Sequence, residues 1–230
     1  MEITRENLIE WGAEFLGETQ EEFIQHIKDN PQMAIDDWNK KKSIIDFYKT
    51  TKANIYGLVD FNGDTRISNL IHPLKTLKGV SVLDYGGGIG LFSQAMSNMG
   101  NEVYYYDLPS KTQDFAKFIN KKVNGKVIFL DEEEVFTRKY DVIACLDVLE
   151  HLEDCMSLVK QVTDHITPYG AFITTGLNFS FGPHTPMHLE ENLKCRAEYE
   201  TFINNNYVLL YLHGTRKETI YVLIKKETKK

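Results

Sequence analysis

Two histidines and a set of carboxylates along this chain have the spacing and surroundings to do chemistry. His151 closes the run Leu146-Asp147-Val148-Leu149-Glu150-His151, and His188 lies in a Pro-, Gly- and aromatic-rich segment that begins at Gly176. An imidazole has an unperturbed pKa near 6.5, so either ring is suited to take a proton from a hydroxyl or a protonated amine at neutral pH. Upstream, Val80-Ser-Val-Leu-Asp84-Tyr-Gly86-Gly87-Gly88-Ile-Gly90 carries an apolar run into an acid and then a glycine turn. Glycines there let backbone turn sharply and let a ligand approach where a Cβ would collide, and a helix starting at Leu91 aims unpaired N–H groups at the same space. This is a nucleotide-cofactor loop. Its spacing is G-x-G-x-G, and Leu91 stands where a dinucleotide-binding fingerprint needs its third glycine, which argues against NAD. Asp107, with Leu108 beside it, follows Val103-Tyr104-Tyr105-Tyr106. At a strand's carboxyl end its carboxylate is placed to accept from both hydroxyls of a ribose, and the competing reading is a turn or helix-capping aspartate.

These groups need a scaffold. Residues up to about Leu77 read as helices, with Leu8, Trp11, Phe15 and Leu16 on one face and Thr19 with Glu22 forming a capping box before Phe23, Ile24 and Ile27. Asn30-Pro31 is expected to end that helix. A further segment runs through Trp38, Ile44, Ile45 and Tyr48, and another through Ile67, Leu70, Ile71 and Leu74. From Gly79 the pattern alternates, with strands expected at 80–84, 102–106, 126–130, 141–146 and 171–175 and helices near 91–98, 112–120 and 154–166, where Asp154 is the expected N-cap. Residues 207–213 and 219–225 are separated by too few residues for a crossover helix, so they form an antiparallel hairpin. The expected architecture is α/β: a Rossmann-like, mostly parallel sheet with a C-terminal antiparallel hairpin over residues 79–230, preceded by a helical cap over 1–78.

The glycine loop resembles motif I of the class I S-adenosylmethionine-dependent methyltransferases, and Asp141 to His151 resembles their motif IV. The His188-Leu189 pair before the next helix is similar to the substrate-side insert of the small-molecule and quinone-biosynthesis members. The resemblance covers about residues 79–226. It implies S-adenosyl-L-methionine as cofactor, with S-adenosyl-L-homocysteine as product. Cofactor contacts are then expected from Asp84, Gly86, Gly87, Gly88, Gly90, Asp107, Leu108, Leu146 and Asp147, and an adenine contact from Asp131. The acidic run Asp131-Glu-Glu-Glu134 reads equally as a solvated helix start. His151 and His188, with the loop around His184, are expected to face the acceptor; the competing reading has Glu150 and His151 only orienting the following helix. A divalent cation held by Asp147, Glu150, His151 and His188 would match a 2′-O-methyltransferase family of RNA ends, yet Glu-His here also occurs in metal-free members, so no metal is assigned.

Composition narrows the acceptor. With 230 residues and 42% hydrophobic content the chain has a core for one domain plus an appendage. A net charge of -7 disfavours nucleic acid, whose affinity comes from clustered Lys and Arg, and favours a small molecule. The expected location is cytoplasmic, because no secretory signal or membrane-spanning run is visible. Cys145, Cys155 and Cys195 lack metal or disulfide spacing and read as packing residues. The expected reaction is methyl transfer to an oxygen or nitrogen of a small molecule. The alternatives are transfer to RNA ends, a nicotinamide-dependent oxidoreductase, and a non-catalytic methyltransferase-fold subunit.

Overall fold

The computed structural model describes residues 3–62, 70–177, 182–183, 185–214 and 219–227. Among these residues four helices come first: α1 (Arg5–Leu16), α2 (Gln20–Lys40), α3 (Ile44–Thr50) and α4 (Ala53–Asn62). Then follow β1 (Ser81–Tyr85), α5 (Leu91–Asn98), β2 (Glu102–Tyr106), α6 (Lys111–Lys122), β3 (Ile128–Phe129), the short α7 (Glu132–Val135) and β4 (Tyr140–Cys145). The chain closes with α8 (Cys155–His165), β5 (Ile166–Thr174), α9 (Glu191–Asn206), β6 (Tyr207–Gly214) and β7 (Thr219–Lys225).

The strands form one seven-stranded sheet in the order β3-β2-β1-β4-β5-β7-β6. Pairing is parallel from β3 through β5 and antiparallel for β5–β7 and β6–β7. The central strands are apolar on both faces because helices cover both. One face packs Leu83 and Ile143 under Val159 and Val162 of α8 and Tyr199 of α9, and the other packs Val82 and Val103 under Phe92 and Met96 of α5. The strand order reverses between β1 and β4, and the crevice at the carboxyl ends of these two strands is where open α/β sheets take ligands.

The N-terminal helices build a third core, in which Leu8 and Trp11, Phe23 and Ile27, and Ile55 and Tyr56 meet Ile89, Phe115 and Ile119. A fourth, small cluster joins Trp38 and Phe47 to Leu189, with Ile44, Tyr48 and Met187 half-buried around it. No helix among the described residues is long and apolar enough to cross a membrane.

The capping box at Thr19 is present: the Glu22 amide donates to Thr19 Oγ1 at 3.2 Å and the Thr19 amide to a Glu22 carboxylate oxygen at 2.8 Å. Asp154 caps α8 by accepting from the Ser157 amide at 2.9 Å. Pro31 does not end α2, contrary to the local expectation. The helix runs through it because Phe23, Ile27, Ala34 and Trp38 stay on one buried stripe on either side of the proline, and burial of that stripe outweighs one lost backbone bond. Several boundaries also shift: β3 shrinks to two residues, β4 runs Tyr140–Cys145, one residue earlier than expected, and β5 begins at Ile166 so that α8 ends one residue early, while α9 is the helix expected after His188-Leu189. Of the segment expected through Ile67, residues 63–69 lie outside the described residues, and Leu74 is buried in a 3₁₀ turn, His72–Leu74.

Candidate active site

The crevice holds a cavity of about 780 Å³ whose wall includes Asp84, Gly86, Gly87, Gly88, Asp107 and Leu108 at one end and Leu146, Asp147, Glu150, His151 and His188 at the other. The expected cofactor and acceptor residues among those described, Gly90 and Asp131 excepted, therefore share one space, although they come from four separate segments.

β1 delivers Asp84 into the interior, 2% exposed, where Ser93 Oγ donates to its Oδ2 at 2.6 Å. Burial pushes its pKa up to about 7, Asp107's charge adds to the rise, and the Ser93 bonds oppose it. The loop then turns back on β2, with the Gly86 amide donating to the Tyr106 carbonyl at 2.8 Å. Gly86 has φ +71°, and a Cβ there would collide with Val148, so this backbone takes no larger residue without strain. Tyr105 Oη fixes the loop from below by donating to the Gly88 carbonyl at 2.6 Å.

Asp107 sits opposite, accepting from the Gly88 amide at 2.8 Å and from its neighbour Leu108 at 2.7 Å. Burial raises its pKa to about 6 against the lowering effect of these two amides. The carboxylate thus ties the glycine loop to the end of β2.

At the other end, β4 stops at Cys145 and Asp147 adopts φ +53°, a costly backbone for a non-glycine residue. The Asp147 amide donates to Thr175 Oγ1 at 2.9 Å, which holds the turn against the end of β5. A 3₁₀ turn, Leu149–His151, follows, and Asn192 of α9 braces it by donating to the carbonyls of Leu149 (3.1 Å) and Leu152 (2.9 Å). The Leu189 amide donates to the Glu150 carbonyl at 2.9 Å, so the segment before α9 is stitched to the turn.

His151 Nδ1 lies 2.9 Å from the Met187 carbonyl. A carbonyl only accepts, so Nδ1 carries the proton and Nε2 carries the lone pair. Burial lowers the His151 pKa, against the raising effect of the Met187 bond and Asp147, which favours the neutral ring. His188 stands beside it with ring centroids 5.1 Å apart, and Tyr48 meets it edge-on at 5.7 Å. Ligand atoms of Glu150, His151 and His188 lie within 4.8 Å of one another.

Two expected cofactor residues fall outside this wall. Gly90, φ +78°, opens α5 where a Cβ would come within 3.3 Å of Ala116 Cβ, so its smallness serves packing against α6. Asp131 is exposed and caps the short α7, its amide donating to Glu134 at 3.0 Å. His184 lies outside the described residues, as do Phe179 and Phe181. The cavity wall also includes residues that local pattern assigns to packing or leaves without a role: Tyr48, Leu58 and Phe61 from the N-terminal helices, Thr112 of α6 and Thr175 after β5. Thr175 carries a visible signal, a hydroxyl ending an apolar strand at the ligand-binding edge.

Comparison with known proteins agrees with this geometry. A family model described as a methyltransferase domain matches residues 59–207. The ubiquinone biosynthesis O-methyltransferase of Coxiella burnetii (strain RSA 493 / Nine Mile phase I) is 29% identical over 131 residues, 52% of this chain and 56% of that protein. The protein of the same description from Proteus mirabilis (strain HI4320) is 26% identical over 133 residues, 52% of this chain and 54% of that one. The chain thus spans about half the length of the curated relatives it matches. Among solved structures, an O-methyltransferase family protein from Burkholderia thailandensis has a TM-score of 0.59 at 14% identity, covering 89% of this chain and 72% of that one. Magnesium protoporphyrin IX methyltransferase from Synechocystis PCC 6803, with bound S-adenosylhomocysteine, has a TM-score of 0.55 at 18% identity, covering 84% and 94%. At such identities the structures speak for the fold, and the matched family model fixes membership: the chain has the class I methyltransferase fold and belongs to the methyltransferase-domain family.

Proposed function

We propose that this protein transfers the methyl group of S-adenosylmethionine to an oxygen of a small, largely apolar acceptor in the cytoplasm, with residues 1–78 acting as a cap over the site. One observation carries the reading: a single cavity joins a glycine cradle and a buried carboxylate to a pair of imidazoles. The cradle fits a nucleoside, since the backbone of Gly86, Gly87 and Gly88 lines the cavity and Asp107 offers the acceptor-only oxygens that ribose hydroxyls require. Asp84, Gly86, Gly87, Gly88, Asp107 and Leu108 would hold the cofactor, and Leu146 and Asp147 would line its methionine end.

The bound cofactor supplies an activated methyl on a sulfonium, so the protein's task is positioning and one proton. His151 is held by Met187 with Nε2 free of hydrogen, and that nitrogen takes the proton of the acceptor hydroxyl as the oxygen gains the methyl. His188, beside it, adds a second imidazole to that end of the cavity. The relatives' printed names, O-methyltransferases, support oxygen over nitrogen.

Calorimetric titration of S-adenosylhomocysteine into metal-stripped protein, with NAD in parallel, tests the cofactor. Saturable binding of S-adenosylhomocysteine alone is expected, and binding of NAD instead, or of neither, would overturn the assignment. A second reading rests on the close approach of Glu150, His151 and His188, a donor set suited to a divalent cation that would orient the acceptor oxygen. Under it, magnesium, manganese or zinc binds the metal-stripped protein stoichiometrically and Glu150→Gln abolishes that binding.

A further inference from the structure

Tyr48 is the third aromatic ring of the acceptor end, and neither the cofactor cradle nor the proton transfer to His151 uses it. It projects from α3, lines the cavity, and stands edge-on to His151 with ring centroids 5.7 Å apart at 65°. Its hydroxyl oxygen is buried and has no hydrogen-bond partner among the described residues. Burial, reinforced by the charges of Glu150 and Asp107, pushes its pKa well up, so the group remains a phenol and a donor. Ile44 and Ile45, from the same helix, and Leu152 make the adjoining wall apolar.

A buried donor with no acceptor costs about 1–3 kcal/mol. The apolar wall beside it fits an acceptor oxygen carried on an apolar frame, with the contact to the Tyr48 hydroxyl forming only in the complex. Resting on the methyl-transfer reading, we propose that Tyr48 is an acceptor-binding residue whose hydroxyl donates to the oxygen that becomes methylated. That oxygen has two lone pairs. One attacks the methyl carbon as the carbon–sulfur bond breaks, the other takes the Tyr48 hydrogen bond, and the proton of the hydroxyl goes to His151 Nε2. The site thereby selects a hydroxyl on a flat or chain-like apolar body over an isosteric hydrocarbon.

The test compares 2-naphthol with 2-methylnaphthalene, a pair of the same shape differing in the hydroxyl, on protein saturated with S-adenosylhomocysteine. Wild type is expected to hold 2-naphthol about tenfold tighter. Tyr48→Phe is expected to cut that preference to about twofold, leave 2-methylnaphthalene unchanged, and keep S-adenosylhomocysteine affinity within about twofold. A ring that only packs would, on substitution, weaken both probes alike or neither, and either result overturns the assignment. So does wild type with no preference, or with affinity for neither probe, while S-adenosylhomocysteine binds normally. Wild type that does not bind S-adenosylhomocysteine overturns the cofactor reading itself, and the Tyr48 assignment with it.

Discussion

Asp107→Asn separates what this carboxylate does for the fold from what it does for a ligand. In the ligand-free protein the charge is a burden. Its pKa stands at about 6 against 3.8 for the ordinary group, a rise of roughly two units, which at about 1.4 kcal/mol each amounts to about 3 kcal/mol. The cavity rim admits some water, so about 2 kcal/mol is the better figure. An amide keeps one of the two bonds now made to Gly88 and Leu108 and turns an N–H toward the other donor, a loss of about 1–2 kcal/mol. The two effects nearly cancel, so the ligand-free variant should melt between unchanged and about 3 °C higher. Binding should respond in the opposite sense. Each charge-assisted bond from a ribose hydroxyl contributes about 1.5–3 kcal/mol, so loss of one should lower S-adenosylhomocysteine affinity about 10- to 150-fold. The pH profile supplies a third readout. Because the folded protein keeps this proton to higher pH than the unfolded chain, wild-type stability falls as pH rises from about 4 to about 6 and the contribution is flat above that. The variant should lack this component. Thermal melts across pH, with calorimetry at pH 7.5, measure all three, and a variant that loses more than about 2 kcal/mol of stability while binding S-adenosylhomocysteine normally would refute the reasoning.

Gly86→Ala forces a Cβ into Val148 at positive φ and should cost about 1–2 kcal/mol of stability and at least tenfold in S-adenosylhomocysteine affinity; adding Val148→Ala should restore only part, because φ is unchanged, and full recovery would disprove the backbone argument. With an acceptor in hand from screening, His151→Ala should lower kcat by about 10²–10⁴ with S-adenosylhomocysteine affinity within about twofold, and an unchanged kcat would remove His151 as the base. Pro31→Ala gives α2 back a backbone donor and should raise the melting temperature by several degrees, about 1–3 kcal/mol; a fall would mean that the proline's restraint of the unfolded chain is the larger effect.

What the sequence showed depended on whether a residue's surroundings were local. The β1 strand, the glycine loop and the start of α5 lie within a dozen residues, and the structure places them as expected. The Thr19 capping box and the Asp154 cap were legible for the same reason, since each is complete within three residues. Pro31 misled because its effect is decided by the stripe that α2 buries, and that stripe is a tertiary fact. Asp131 was ambiguous because four successive acids suit a ligand edge and a helix start equally, and its capping of α7 does not depend on a ligand. Tyr48 reads as packing in any local window, and its unmet hydroxyl acquires meaning only when β4 brings His151 against it.

The small cluster of Trp38, Phe47 and Leu189 sets a clock. It ties the N-terminal helices to the segment that carries Met187 and His188, and among the described residues three of its side chains are buried. Burial of that size contributes about 1.5–3 kcal/mol per side chain before the entropy of ordering two segments is subtracted. The net is a few kcal/mol, far below what holds the sheet, so this contact opens and recloses many times while the rest of the molecule stays folded. Such openings fall in the microsecond-to-millisecond range. Each one frees the far end of the cavity, and with it whatever lies against His151, without disturbing the grip of the glycine loop. Under the proposed reading, an acceptor at the His151 end would then exchange independently of a nucleoside held at the Asp107 end, and stopped-flow release of 2-naphthol and of S-adenosylhomocysteine would show two separate rates.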